Sequence, residues 1–173
     1  FTKAEDYFKQ SLVIRREDTT ERGKRTLAST IKNYGYMLAN KGEAENGLAL
    51  IQESLDLRRE IGYSWGIADS LLAIGNLKAE NRFENYMEAN RIALEVGDRR
   101  LQAESFYLLA VAEQSRGNLT KALENITNGL DLIEQIRSEI VGSESRYAYF
   151  STVHAYYELY TELLVSRYEK TKK

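Results

Sequence analysis

The residues with the greatest chemical potential in this chain are one histidine, His154, several paired acids, and two arginine pairs, with no cysteine at all. A metal site needs several ligands at fixed spacing. His154 stands alone in "TVHAY", and neither an HExxH pattern nor a comparable cluster accompanies it. It reads as a structural or surface histidine. The lack of cysteine excludes disulfides, thiolate zinc sites and cysteine nucleophiles, and fits a reducing cytoplasm. Glu43 with Glu45, and Glu139 with Glu144, fall at turns and helix ends, where solvated faces explain them better than acid–base catalysis. Arg15–Arg16 and Arg58–Arg59 sit near helix ends, where positive charge suits the helix dipole; phosphate binding there is the weaker reading. "GNL" recurs at Gly75 and Gly117 but follows no strand, so it is no phosphate loop. Neither catalysis, nor a metal, nor a cofactor is expected.

The composition narrows the partners. With 24 basic and 26 acidic residues among 173 and a pI near 5.7, the chain offers no broad field for a phosphate backbone, so nucleic acid is not an expected partner. No apolar run approaches the roughly 18 residues a membrane helix needs, and no signal peptide opens the chain, so no membrane association is expected. Proline is absent, which points to mostly helix. A start at Phe1 rather than methionine suggests an excised piece of a longer protein.

The elements that would position any site are helices. Apolar residues recur at three- and four-residue spacing, as in Leu48, Ile51, Leu55 and in Leu119, Leu123, Ile126, Leu130, and no window alternates as a strand would. Breaks at Asp18–Lys24, Lys41–Glu43, Gly62–Ser64, Asn81–Arg82, Gly97–Asp98, Arg116–Asn118 and Gly142–Glu144 divide the chain. The spacing predicts eight helices at 1–16, 26–41, 44–61, 66–79, 83–96, 99–116, 119–141 and 144–170, an all-α fold. Gly42, Gly62, Gly97 and Gly117 each follow a periodic segment, where left-handed backbone ends a helix.

A repeat of small residues organises these helices. Gly35, Gly42, Gly47 and Ser54 are separated by 7, 5 and 7 positions, and Ala110, Gly117, Ala122 and Gly129 show the same separations. Residues seven apart share a helix face, so small side chains on facing surfaces let two axes approach closely. Gly35 and Gly47 would each cost about 1 kcal/mol in a helix interior relative to alanine, a cost that packing across the crossing would offset.

On these residues the chain resembles the tetratricopeptide repeat family, whose unit of roughly 34 residues is a helix–turn–helix. Ile31, Tyr34, Gly35 and Leu38 fit a first helix, with Gly47, Ile51, Ser54 and Leu55 in its second; Phe106, Leu109, Ala110 with Ala122, Ile126, Gly129 and Leu130 fit another unit. Leu71, Ile74 and Gly75 with Tyr86 and Ala89 form a middle unit shortened around "AENRFEN", where an irregular turn is expected. Ala4, Phe8, Ser11 and Leu12 fit the second helix of an earlier unit. The usual proline is missing, and the 40- and 35-residue spacings between Gly35, Gly75 and Ala110 suit the longer-helix branch. The resemblance implies a right-handed superhelix of antiparallel helix pairs over residues 1–138, with a truncated first unit at 1–16 and full units at 26–62, 66–97 and 99–138. An aromatic capping helix would occupy 139–173.

That last segment, rich in tyrosine, is also similar to the end of the arrays that precede CHAT, caspase-like peptidase domains in bacterial proteins. Ile133, Arg137, Arg146, Tyr149, Phe150, Tyr156, Tyr157, Tyr160, Leu163 and Leu164 carry this second resemblance. The peptidase itself needs a Cys–His pair, which this chain lacks.

The repeat register implies a concave wall of first helices presenting Ser29, Lys32, Tyr36 and Asn40; Asp69, Leu72, Asn76 and Glu80; and Glu104, Tyr107, Val111 and Gln114. Tyr36 and Tyr107 would anchor a peptide, with Asn40, Asn76 and Gln114 bonding its backbone. Asp69 and Glu104 would make an acidic wall. That wall argues against the co-chaperone subtype that grips a C-terminal carboxylate, of whose basic positions only Lys32 is present. The expected function is a non-enzymatic scaffold binding a peptide or protein; the alternative is a ligand-sensing array controlling an attached CHAT-type peptidase. Helical-repeat RNA binding fits poorly with the acidic groove. Self-association through the open face of the first helix is a further expectation.

Overall fold

The computed structural model describes residues 2–139 and 143–172, with side chains for 3–139 and 153–172. The described residues form eight α-helices and no strand: α1 (Thr2–Arg16), α2 (Glu21–Asn40), α3 (Ala44–Glu60), α4 (Ser64–Leu77), α5 (Arg82–Val96), α6 (Arg99–Ser115), α7 (Leu119–Glu139) and α8 (Ser143–Thr171). The protein is therefore all-α. No described helix is long and apolar enough to cross a membrane. The chain divides into two compact units, residues 1–92 and 93–173.

The helix ends follow local chemistry. Gly42, Gly62, Gly97 and Gly117 all have positive φ, between 64° and 100°, and stop α2, α3, α5 and α6 as expected. One start needs correcting. α2 begins at Glu21, not at 26, because Thr20 caps it by accepting from the Gly23 N–H at 3.0 Å. Asp18 in turn accepts from the Thr20 amide at 3.0 Å and from its hydroxyl at 2.6 Å. Apolar periodicity begins later than the cap, so it placed the start too late. Between α4 and α5 the connection is irregular, with Asn81 at φ 54°. Arg82 there donates to the Gly75 carbonyl at 2.8 Å.

In the first unit α2 and α3 run antiparallel, as three contacts show. Lys24 meets Glu60 at 2.8 Å, the Ser54 hydroxyl donates to the Ala28 carbonyl at 2.8 Å, and Gly35 faces Gly47. At the crossing a Cβ on Gly35 would lie 2.6 Å from the Gly47 carbonyl oxygen, and one on Gly47 would lie 2.5 Å from that of Gly35. Backbone touches backbone, so neither position has room for a methyl group. On α1, Phe8 stacks on Tyr34 with centroids 5.5 Å apart, and Leu12 joins Ile31, Tyr34 and Leu38 in the core.

In the second unit α6 and α7 pair in the same sense, Arg99 bonding Glu139 near one end while Ala110 and Ala122 are fully buried near the other. α8 packs on that pair, adding Leu159 and Leu163 to a core with Ala110, Ala122, Leu123 and Ile126. Val153 joins Ala103 and Ile133 in a second cluster.

Candidate functional site

The polar centre of the first unit is built on Arg58, which sits one turn beyond Ser54 on the inward face of α3 and is fully buried. Its Nη1 donates to the Gly66 carbonyl at 2.7 Å, to Asp69 Oδ2 at 2.8 Å and to Ser70 Oγ at 2.8 Å, and its Nη2 to Ser29 Oγ at 3.3 Å. Nε has no hydrogen-bond partner. Gly66 makes room for this side chain, since a Cβ there would meet Arg58 Cδ at 2.9 Å. The expectation that Arg58 merely complements a helix dipole is thus corrected. It continues the face of Gly47 and Ser54 that meets α2 and reaches α4 as well, so its charge is answered inside the protein.

Asp69 on α4 is shared by two cations. Lys32 Nζ on α2 lies 2.8 Å from Oδ1 and 2.7 Å from Oδ2, while Arg58 holds Oδ2 from the other side. Tyr36 completes the strip, its ring centroid 5.8 Å from Lys32 Nζ. Lys32, Tyr36 and Asp69 therefore do come together. The acidic wall does not hold here: one carboxylate between two cations leaves a net positive charge.

Other expected positions fare differently. Leu72 is buried, only 3% exposed, and is no groove residue. Its helix carries a nearly unbroken buried run from Ser70 to Gly75 and packs on more than one face, so a single-face register misplaces it. Asn76 is exposed and accepts from the Tyr86 hydroxyl at 2.7 Å, which braces α4 against α5. Asn40 is exposed at the end of α2, and Glu80 lies beyond α4, 3.2 Å from Lys78.

In the second unit Glu104 is exposed. Tyr107 is corrected as a free anchor: its ring packs on Tyr156 of α8, centroids 4.6 Å apart, and Val111 joins the same apolar cluster. α8 covers this part of α6, so these side chains contribute to the core. Gln114 remains open. It lines a depression of about 710 Å³ with His154, Tyr157, Glu158, Thr161, Glu162, Val165 and Ser166 of α8. Two further depressions belong to the first unit, one of about 680 Å³ between α2 and α3 and one of about 440 Å³ along α3, α4 and α5.

The α8 residues at this depression escaped the sequence reading apart from His154 and Tyr157, because the register counted only three helix pairs. His154 is exposed and lies 3.1 Å from Glu158, one turn on. The Tyr157 hydroxyl donates to Glu134 of α7 at 2.6 Å. Among the described residues no group of three or more metal-binding side chains is placed to hold an ion. Arg137 pairs with Glu134, and Arg146, Tyr149 and Phe150 of the second resemblance lie outside the described side chains.

At the edge of the first unit Glu5 bonds both Lys9, at 2.7 Å, and Lys41, at 3.0 Å. These ammonium groups, Lys9 foremost, lower the Glu5 carboxyl to about 2 from an ordinary 4.5. Burial raises the Tyr34 and Tyr86 hydroxyls above the usual phenol value.

No protein-family model and no curated protein matches the sequence. Solved structures do match in fold. The crystal structure of BtubC (BKLC) from P. vanneervenii is similar at a TM-score of 0.68 and 15% identity, over 94% of this chain and 67% of that one. The likeness is one of fold.

Proposed function

We propose that the chain is a tetratricopeptide-type helical repeat acting as a non-catalytic scaffold in the cytoplasm, where it holds a peptide or partner protein on its first-helix surfaces. The observation that carries this reading is the Lys32–Asp69 bridge, which joins the first helices of two successive pairs into one strip with Tyr36 beside it. A strip prepared in this way pays little ordering cost when a ligand settles on it. The reciprocal Gly35–Gly47 crossing and the buried Ala110 and Ala122 support the repeat assignment, since each unit carries the same small-residue register. Against catalysis stands the structural engagement of the polar groups: Asp69 is held by two cations, the buried Glu113 accepts from the Asn118 amide at 2.6 Å, and His154 stands beside Glu158.

The test is an array of short peptides of varied charge probed with the purified chain, followed by affinity measurement on Tyr36→Ala. A subset of peptides is expected to bind, and loss of the Tyr36 ring to weaken them roughly tenfold, as removal of an aromatic anchor does. An array in which no binder is weakened by Tyr36→Ala would overturn the proposal.

A further inference from the structure

The depression between α6 and α8 has a character that sets it apart from the Lys32–Asp69 strip. Tyr157 and the half-exposed Val165 give it apolar surface. Glu158 and Glu162, both exposed and one helical turn apart, put two carboxylates on its wall. Among the described residues no lysine or arginine lines it and Glu162 has no ion-pair partner. At its edge the Gln114 side chain offers an amide donor and acceptor together.

From these features we infer that the α6–α8 depression docks a cationic, amphipathic peptide segment, whose lysine or arginine side chains meet Glu158 and Glu162 while an apolar side chain rests on Tyr157 and Val165. This rests on the scaffold reading above and names the class of ligand one of its surfaces takes. The spacing is favourable. Side chains one turn apart on a helix stand about 5–6 Å apart at Cβ, and alternate residues of an extended peptide about 6.6 Å apart, so two basic groups on one side of a ligand reach both carboxylates in either conformation. An anionic segment faces both carboxylates, with the Gln114 amide and His154, already beside Glu158, as its donors. The approach of a cationic one is steered, and salt weakens it.

The experiment measures fluorescence anisotropy of a labelled lysine–leucine peptide and of its glutamate–leucine counterpart, at low and physiological salt. The lysine peptide is expected to bind and the glutamate peptide not to. Glu158→Gln with Glu162→Gln should weaken the lysine peptide about tenfold, the scale of two partly screened ion pairs. Glu158→Lys with Glu162→Lys should invert the preference. Glu53→Gln with Asp56→Gln, on α3, should change nothing. Equal binding of both peptides, no binding of either, or a lysine-peptide affinity untouched by the α8 substitutions would overturn the inference. The scaffold reading fails separately, through an array in which no peptide is weakened by Tyr36→Ala, whatever the lysine peptide does at α8. Thermal unfolding of each variant confirms that the exposed substitutions leave the fold in place.

Discussion

The crossings of α2 with α3 and of α6 with α7 are built on one register, seventy-five positions apart, and filled in opposite ways. In the first unit Gly35 and Gly47 bring backbone against backbone, and the second small position is Ser54, hydrogen-bonded to Ala28. In the second unit the equivalent residues are Ala110, Ala122 and Gly129. The alanines are fully buried, yet a Cβ on Gly129 would meet the Ala103 carbonyl oxygen only at 3.4 Å, an ordinary contact. The difference extends along the helix: buried Arg58 of the first unit corresponds to buried Ile133 of the second, which packs with Val153 and Ala103. A shared register thus fixes which positions face inward and leaves open how tightly, and with what polarity, the interior is filled.

Breaking the polar interior should have the largest effect. Arg58→Met removes one of the two cations on Asp69 and leaves Ser70 and the Gly66 carbonyl without their buried donor, and is expected to cost about 3 kcal/mol in urea unfolding. Ile133→Val, at the equivalent apolar position, should cost only about 1 kcal/mol. Equal costs would show that the two interiors do not differ in kind.

The glycines sharpen the comparison at a smaller scale. Gly35→Ala forces a methyl group onto the Gly47 carbonyl and should cost about 1–3 kcal/mol despite the better helix propensity. Gly129→Ala has room for its methyl group and should be neutral or stabilising by up to about 1 kcal/mol. A destabilised Gly129→Ala would mean that the second crossing is as tight as the first.

The smallest effect is one of pH and belongs to the first unit alone. Glu5 titrates at about 2 in the folded chain against an ordinary 4.5, so its protonation favours the unfolded state. The stability it contributes is complete above about 4.5 and is lost as pH falls toward 2. Acid unfolding followed by circular dichroism should show a loss over this window that Glu5→Gln reduces, since Asp18 and Glu43 are also held low, by Thr20 and Lys41; an identical acid profile in the variant would remove Glu5 from the account.

Much of this was legible in the chain. Three- and four-residue periodicity gave eight helices, positive-φ glycines gave four of their ends, and the matched separations of small residues placed Gly35, Gly47, Ala110 and Ala122 inside. These features are local, or recur at fixed distance, and a one-dimensional pattern can hold them. The candidate site was legible only in part. Lys32, Tyr36 and Asp69, expected on one wall, lie together, but the charge of that strip depends on Arg58 arriving from another helix. Leu72, Tyr107 and Val111 were assigned to an open face because the register of one helix does not say what packs upon it. Sequence alone determined which residues are helical and which must be small, through backbone propensity and steric bulk. Tertiary structure alone decided which charges cancel and which faces stay open, because electrostatic pairing and burial depend on distances between helices far apart in the chain.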